Sequence, residues 1–284
     1  MALRAKKPQA LEQRMKALFY GASGAGKSMT AINFPKPYWI DTEGSSDKPQ
    51  YVRVMEEKDG VVFQTQDFDD LMIEVKSLLT EKHEYKTLII DSLTIVYNDL
   101  LHKAELKVGS EFGRHYAEAN KKMKHLMNLL LRVDMNVLII AHSKNEYGAN
   151  LAVLGQTFDC YKKLDYLFDI VFEIQLRGNQ RIGLVKKTRY ECFQQGEQFP
   201  FSFDELAKRY GKDILEREAI AEELATKEQI DQLNHLVEVF KEPQENIQKW
   251  LDKAQAETFG EMNQDVIQKL ITHMEKKLSK GTTA

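Results

Sequence analysis

Short apolar runs closed by polar residues alternate with stretches of helical spacing over the first two thirds of this 284-residue chain. Ala17-Leu18-Phe19-Tyr20 is one such run, and it stops at a glycine-rich turn. Ser28 to Phe34 then has helical composition and is ended by Pro35. Tyr38-Trp39-Ile40-Asp41 and Val61-Val62-Phe63-Gln64 read as strands, and Phe68 to Leu79 as a helix. Thr87 to Ser92 is an apolar strand with Asp91 at its tip. Two helical stretches follow, about Ile95 to Lys107 and Tyr116 to Val133. Asn136 to His142 is a second buried strand ending in a polar residue. Asp169 to Leu176 and Arg181 to Thr188 pair as a hairpin turning at Arg177-Gly178-Asn179-Gln180. Strands alternating with helices predict an α/β domain with a mainly parallel, twisted sheet flanked by helices.

From about residue 204 the strand signal vanishes. Thr226-Lys227-Glu228-Gln229 fits a capping box, followed by Ile230, Leu233, Leu236, Val237 and Phe240 on one face. Pro243 breaks that helix. Ile247, Trp250, Leu251 and Ala254 predict a second helix, and Val266, Ile267, Leu270, Ile271 and Met274 a third, with Trp250 at the centre of a small shared core. The expected division is a basic N-terminal arm over 1–15, an α/β core over 16–215 and an all-α C-terminal module over 216–284.

Composition is that of a soluble globular protein, 43% hydrophobic and 29% charged. The apolar runs are too short to span a bilayer, and the N-terminus lacks a secretory core, so a cytoplasmic setting without membrane contact is expected. Cys160 and Cys192 have no metal-like spacing. A net charge of −3 gives no global basic field, so nucleic-acid binding would rest on local patches. One such patch is the arm, where Arg4, Lys6, Lys7, Arg14 and Lys16 face the single acid Glu12.

Chemistry enters with Gly21-Ala22-Ser23-Gly24-Ala25-Gly26-Lys27-Ser28, a G-x-x-x-x-G-K-[ST] phosphate-binding loop set between a strand and a helix. Glycine reaches backbone angles closed to other residues, which lets successive amides turn inward around an anion. Lys27 would meet the β- and γ-phosphates and Ser28 would ligate Mg²⁺, with Met29 completing the binding segment. Asp91 is the natural second metal contact. The next residue is Ser92, so the base that activates water comes from elsewhere. Glu43 is the candidate, just past the tip of a strand expected to neighbour that of the phosphate loop, with Asp41 as its rival and an ordinary turn acid as the plain alternative. His142, on the strand expected beside that of Asp91, sits where a γ-phosphate sensor would project into the following loop, Ser143 to Gln156. Lys187 and Arg189 share a face of a late strand and would stabilise transition-state charge on a neighbouring subunit's nucleotide, or else line a solvated strand face.

GASGAGKS, the WIDTEG segment at Trp39 to Gly44, LIIDS at Leu88 to Ser92, LIIAH at Leu138 to His142 and the Lys187/Arg189 pair together resemble the RecA-like recombination ATPases. The likeness is strongest to small phage-encoded, Sak-type members linked to single-strand annealing, and it covers roughly residues 16 to 200. It implies a RecA-like P-loop core using ATP and Mg²⁺, and self-assembly as a ring or filament on single-stranded DNA, in the host cytoplasm if phage-encoded. Glu43 would activate water, His142 would sense nucleotide, and Lys187 and Arg189 would act across the subunit interface. No Asn-Lys-x-Asp guanine motif is present. The loop after His142 is short and an aromatic-x-x-Ala polymerisation peptide is missing, both departures from the larger recombinases.

DNA contacts are expected in two segments read as loops after core strands: Gly109 to Asn120, with Arg114, His115 and Tyr116, and the segment after His142, with Lys144 and Tyr147. Solvated surface is the alternative for each residue. The C-terminal module would dock a protein partner such as a single-strand-binding protein. Two other function classes stand beside recombination: a nucleotide-gated assembly or loading factor, and a P-loop kinase of small molecules, which would want a lid of clustered arginines.

Overall fold

The computed structural model describes Lys7, residues 12–148 and residues 152–281, with side chains as far as residue 276. Most of the expected N-terminal arm, Arg4 and Lys6 included, lies outside the described residues. The strands are β1 (Lys16–Gly21), β2 (Pro37–Asp41), β3 (Val61–Gln64), β4 (Thr87–Asp91), β5 (Asn136–Tyr147), β6 (Val153–Asp159), β7 (Ile170–Arg177), β8 (Gln180–Thr188) and β9 (Gln198–Pro200). The first helices are α1 (Lys27–Ala31), α2 (Pro49–Glu57), α3 (Phe68–Thr80), α4 (Leu93–Val108), α5 (Arg114–Arg132) and α6 (Leu164–Leu167). After them come α7 (Phe203–Tyr210), α8 (Lys212–Glu216), α9 (Lys227–Phe240), α10 (Gln244–Ala254) and α11 (Gln264–Gly281). None of these helices is long and apolar enough to cross a membrane.

Two compact units divide the chain. The first is Met1–Thr65, Glu84–Ile95 and Met135–Ala219; the second is Gln66–His83, Val96–Asp134 and Ile220–Ala284.

The first unit holds one sheet in the order β3-β2-β4-β5-β1-β7-β8-β9, with β6 paired to β5. From β3 across to β7 neighbouring strands are parallel, whereas β6, β8 and β9 add antiparallel. β1 and β4 are buried at every position, which explains why they read as continuous apolar runs rather than alternating ones. One core gathers Phe19, Trp39, Ile89, Leu138 and Phe172 from the strands with Ala31, Val54, Met55 and Leu206 from α1, α2 and α7. Phe19, Phe172 and Phe201 meet edge-on with ring centres 5.1–5.9 Å apart, the geometry that aromatic quadrupoles favour.

In the second unit, α9 opens with the expected capping box between Thr226 and Gln229. Leu233, Ile267 and Ile271 are fully buried at the heart of its C-terminal cluster. Trp250 is only partly buried at the rim, because its neighbour Leu251 takes the inward position on α10. The same unit ties α5 to the C-terminal segment. Arg132 donates to the Glu222 carboxylate at 3.0 Å and to the Glu261 carbonyl at 2.8 Å. On the other side, the Glu222 amide donates to the Leu79 carbonyl at 2.7 Å.

Four further expectations change. β2 does not flank β1, since β4 and β5 lie between them; strand order is a tertiary property that no single strand's pattern encodes. The phosphate-loop helix closes at Ala31 rather than Phe34. Ser143 to Gln156 is no loop, because β5 runs on to Tyr147 and returns as β6 in an antiparallel ribbon. Beyond His142 the β5 half of that ribbon is mostly polar and exposed, and the β6 half is half-buried with Phe158 against Tyr20, so neither carries a clean hydrophobic alternation. Gly109 to Asn120 follows helix α4 and not a strand, and Arg114, His115 and Tyr116 form the first turn of α5. The elements α2, β6, α6 and β9 had no distinct sequence signal.

Candidate functional site

Gly21 ends β1 with its Cα pressed on β7, where an added Cβ would stand 2.2 Å from the Ile174 carbonyl oxygen. The loop then rises to Gly26, whose left-handed φ of 90° turns the chain into α1. Lys27 folds back over the loop and donates to the carbonyls of Gly21 and Ala22, each at 2.9 Å. Burial holds its pKa below the usual lysine value, an effect opposed by the carboxylates of Asp91 and Glu43.

A cavity of about 730 Å³ opens above this loop. It is lined by Gly24, Gly26, Lys27 and Ser28, by Glu43 just past β2, Asp91 at the end of β4 and His142 within β5, and by Lys48, Tyr51 and Arg181. The volume suits a nucleotide-sized ligand.

Asp91 is almost wholly buried, and its carboxyl is pushed up to about 7. Burial is the main cause; a Ser28 hydrogen bond works against it, Glu43 adds to it, Lys27 offsets and Asp41 adds again. The peptide between Asp91 and Ser92 is cis. A buried anionic oxygen beside a serine hydroxyl fits Mg²⁺, which takes few protein ligands and completes its shell with phosphate and water oxygens. No cluster of three or more His, Cys, Asp or Glu able to hold a metal occurs among the described residues.

Glu43 reaches the cavity although its strand is remote from β1. Asp41 is buried and its carboxylate accepts the amides of Glu43 at 3.0 Å and Ser46 at 2.8 Å, which shapes the turn. Asp41 is thus spent on the turn, whereas Glu43 is projected across the sheet. Its carboxylate meets His142 Nε2 at 2.7 Å, and the same nitrogen lies 3.2 Å from Ser92 Oγ. His142 is fixed by its own amide, which donates to Thr94 Oγ1 at 2.9 Å, while Thr94 donates to the Asp159 carbonyl at 2.7 Å. One threonine therefore pins the histidine and the end of β6 together. A carboxylate and an imidazole so joined can orient a water and exchange its proton.

Lys187 and Arg189 stand outside this cavity, at the far end of β8. Lys187 donates to the carbonyls of Asp165 and Phe168, and Arg189 pairs with the Asp169 carboxylate at 3.1 Å and the Tyr166 carbonyl at 2.8 Å. Both side chains thus serve the α6 segment of their own chain. Of the DNA candidates, Lys144 pairs with Asp159 at 2.8 Å and Tyr147 is 57% exposed on the β5–β6 ribbon, in the first unit. Arg114, His115 and Tyr116 belong to the second unit; Arg114 lies 3.7 Å from Glu111, and the rings of His115 and Tyr116 are 4.2 Å apart.

The sequence reading missed Tyr51 and Arg181. Tyr51 stacks edge-on to Trp39 at 5.5 Å and is hydrogen-bonded to Ser28. Arg181 lies against the phosphate loop, with Nε 2.1 Å from where a Cβ on Gly26 would stand. Neither residue sits in a motif, and only the folding of α2 and the β7–β8 hairpin toward the loop brings them in.

Against known proteins, the AAA domain family matches residues 13–198. No curated protein matches the chain. Among solved structures, the chain is similar to the RadB recombinase at 17% identity and a TM-score of 0.46, over 66% of this chain and 86% of that one.

Proposed function

This chain belongs to the AAA domain family, and from that premise we propose a Mg²⁺-dependent ATPase of the RecA-like kind, which binds single-stranded DNA and promotes annealing and homologous recombination in phage DNA metabolism. The observation that carries the reading is the convergence of the phosphate loop, Asp91, Glu43 and His142 on one cavity.

In the proposed mechanism the amides from Ala22 to Met29 and the Lys27 ammonium take the phosphates. Ser28 and Asp91 would hold Mg²⁺, which would supply charge neutralisation at the phosphates. Glu43 orients the attacking water and accepts its proton. His142 holds Glu43 and feels the change when the γ-phosphate departs. Since β5 runs from His142 straight into Lys144 and Tyr147, the ribbon is the natural reporter of that change to DNA. Arg114, His115 and Tyr116 are a second proposed DNA contact. Lys187 and Arg189 are proposed to leave the α6 carbonyls and reach the nucleotide of an adjoining copy in a ring or filament, in the cytoplasm. The helices over 216–284 would dock a single-strand-binding protein.

Hydrolysis measured with and without single-stranded DNA at two salt concentrations tests the reading. Stimulation that fades as salt rises is expected, because phosphate contacts weaken through counterion binding. Turnover indifferent to DNA would move the reading to a partner-driven assembly ATPase.

A further inference from the structure

Arg181 is the second residue of β8, and its backbone is held on both sides. It stands opposite Leu176 on β7, and its carbonyl accepts the Phe201 amide at 2.8 Å. From this fixed base the side chain crosses the phosphate loop. A Cβ on Gly26 would lie 2.1 Å from Nε, 2.5 Å from Cδ and 3.0 Å from Cζ, so the guanidinium rests on the glycine itself. Gly26 is therefore constrained twice, by its left-handed backbone and by the arginine occupying the space a side chain would need.

The charge on Arg181 has no carboxylate within ion-pair distance among the described residues. Nearby arginines have side-chain partners. Arg177, at the other side of the same hairpin, donates to Gln198 and Gln175, each at 2.9 Å, and Arg189 and Arg209 hold carboxylates. Burial raises the pKa of the Tyr51 phenol, with Asp91 and Glu43 adding to the rise and Ser28 and Arg181 opposing it, so the cation lies within reach of the cavity's interior. An unpaired guanidinium beside Lys27 and Ser28 presents up to five donors to whatever the loop holds. Planar, bidentate donors of that kind suit phosphate oxygens better than a neutral ligand.

We propose that Arg181 binds the phosphates of a nucleotide held by the phosphate loop of its own chain. The assignment rests on the reading of the cavity as a nucleotide site. It differs from the role given to Lys187 and Arg189, which lie at the opposite end of β8 and would act on another copy. Because β8 carries both, nucleotide binding in one chain would fasten the strand whose far end serves the next.

The test measures the ATP dissociation constant with Mg²⁺ for the full chain and for Arg181→Gln and Arg181→Lys, with thermal melts of each. Gln and Lys both keep an aliphatic stem over Gly26, so the packing survives. Arg181→Gln is expected to weaken ATP about tenfold to a hundredfold, the usual worth of a hydrogen bond to a charged group. Arg181→Lys should recover only part of that loss, since it restores the charge but not the planar fork. Equal ATP affinity in the wild type and Arg181→Gln overturns the assignment and leaves the nucleotide site standing. A wild-type chain that melts cooperatively and binds no ATP brings down the nucleotide reading itself.

Discussion

Glu43, just past β2, and His142, within β5, meet at 2.7 Å, with Ser92 just past the end of β4 between them sharing the imidazole. A base that is also held by its partner can be tested by removing its charge and keeping its shape. Glu43→Gln is expected to bind ATP as the wild type does and to lose turnover about 10²- to 10⁴-fold, the range for a missing general base. Undiminished steady-state hydrolysis would move the base elsewhere. The phosphate loop was legible because its chemistry is carried by backbone, and backbone of that shape needs glycine at fixed intervals. Asp91 was legible because a buried strand ending in an acid is rare without a reason. The ground for placing Glu43 near the phosphate loop was mistaken, since its strand does not flank β1. It arrives by projecting over two strand tips, a distance that only strand order decides. Arg181 had no such signal; an exposed arginine in a polar hairpin resembles any solvated residue until the hairpin folds over Gly26.

Among the elements, the β5–β6 ribbon is the one whose character changed most between sequence and fold. Its first half is a buried parallel strand, and beyond His142 the same strand leaves the sheet's core and becomes polar on both faces. The hydrophobic pattern ends there, although the strand does not. The aromatic ring of Tyr147 stands exposed on this ribbon, a geometry suited to stacking on an unpaired base. If the ribbon binds single strands, Tyr147→Ala should weaken DNA binding by about 1–3 kcal/mol while leaving basal hydrolysis alone. Fluorescence anisotropy with a labelled oligonucleotide reads the effect, and unaltered binding would remove the ribbon from the interface. A second element-level device is the Glu261 carboxylate, 3.5 Å from His125 on α5 and 2.9 Å from Lys76 on α3. The His125 hydrogen bond holds its pKa well below the ordinary glutamate value of 4.5; burial works against this, and the Glu257 amide and Lys76 reinforce it. A depressed carboxylate stabilises the fold above its ordinary value and loses that contribution as pH falls through the lowered one. Acid melts should therefore show wild-type stability declining below pH 4.5, with a shallower decline in Glu261→Gln. Identical slopes would mean the pair is solvated and contributes nothing.

At the scale of the molecule, the change in composition near residue 204 suggested a helical module appended to a finished core. The second compact unit instead joins the C-terminal helices with α3 and α5. Arg132 makes the physical case. Its guanidinium is 8% exposed, and every partner it has among the described residues comes from the C-terminal segment: Glu222 at 3.0 Å, the Glu261 carbonyl at 2.8 Å and the Gln255 carbonyl at 3.4 Å. Removing the segment would take away all three of these partners and the cover that buries the guanidinium, and a hydrogen bond to a charged group is worth about 1.5–3 kcal/mol. His125 and Lys76 would lose Glu261 in the same stroke. A chain ending at Ala219 is therefore expected to melt several degrees below the full-length protein. An independently appended module predicts the reverse, with an unchanged main transition and only the loss of a second one. Calorimetry on the two forms separates these outcomes. Arg132→Met in the full chain refines the answer, because it leaves the largely buried Glu222 carboxylate without its cation and should lower the melting of the full-length protein in the same direction.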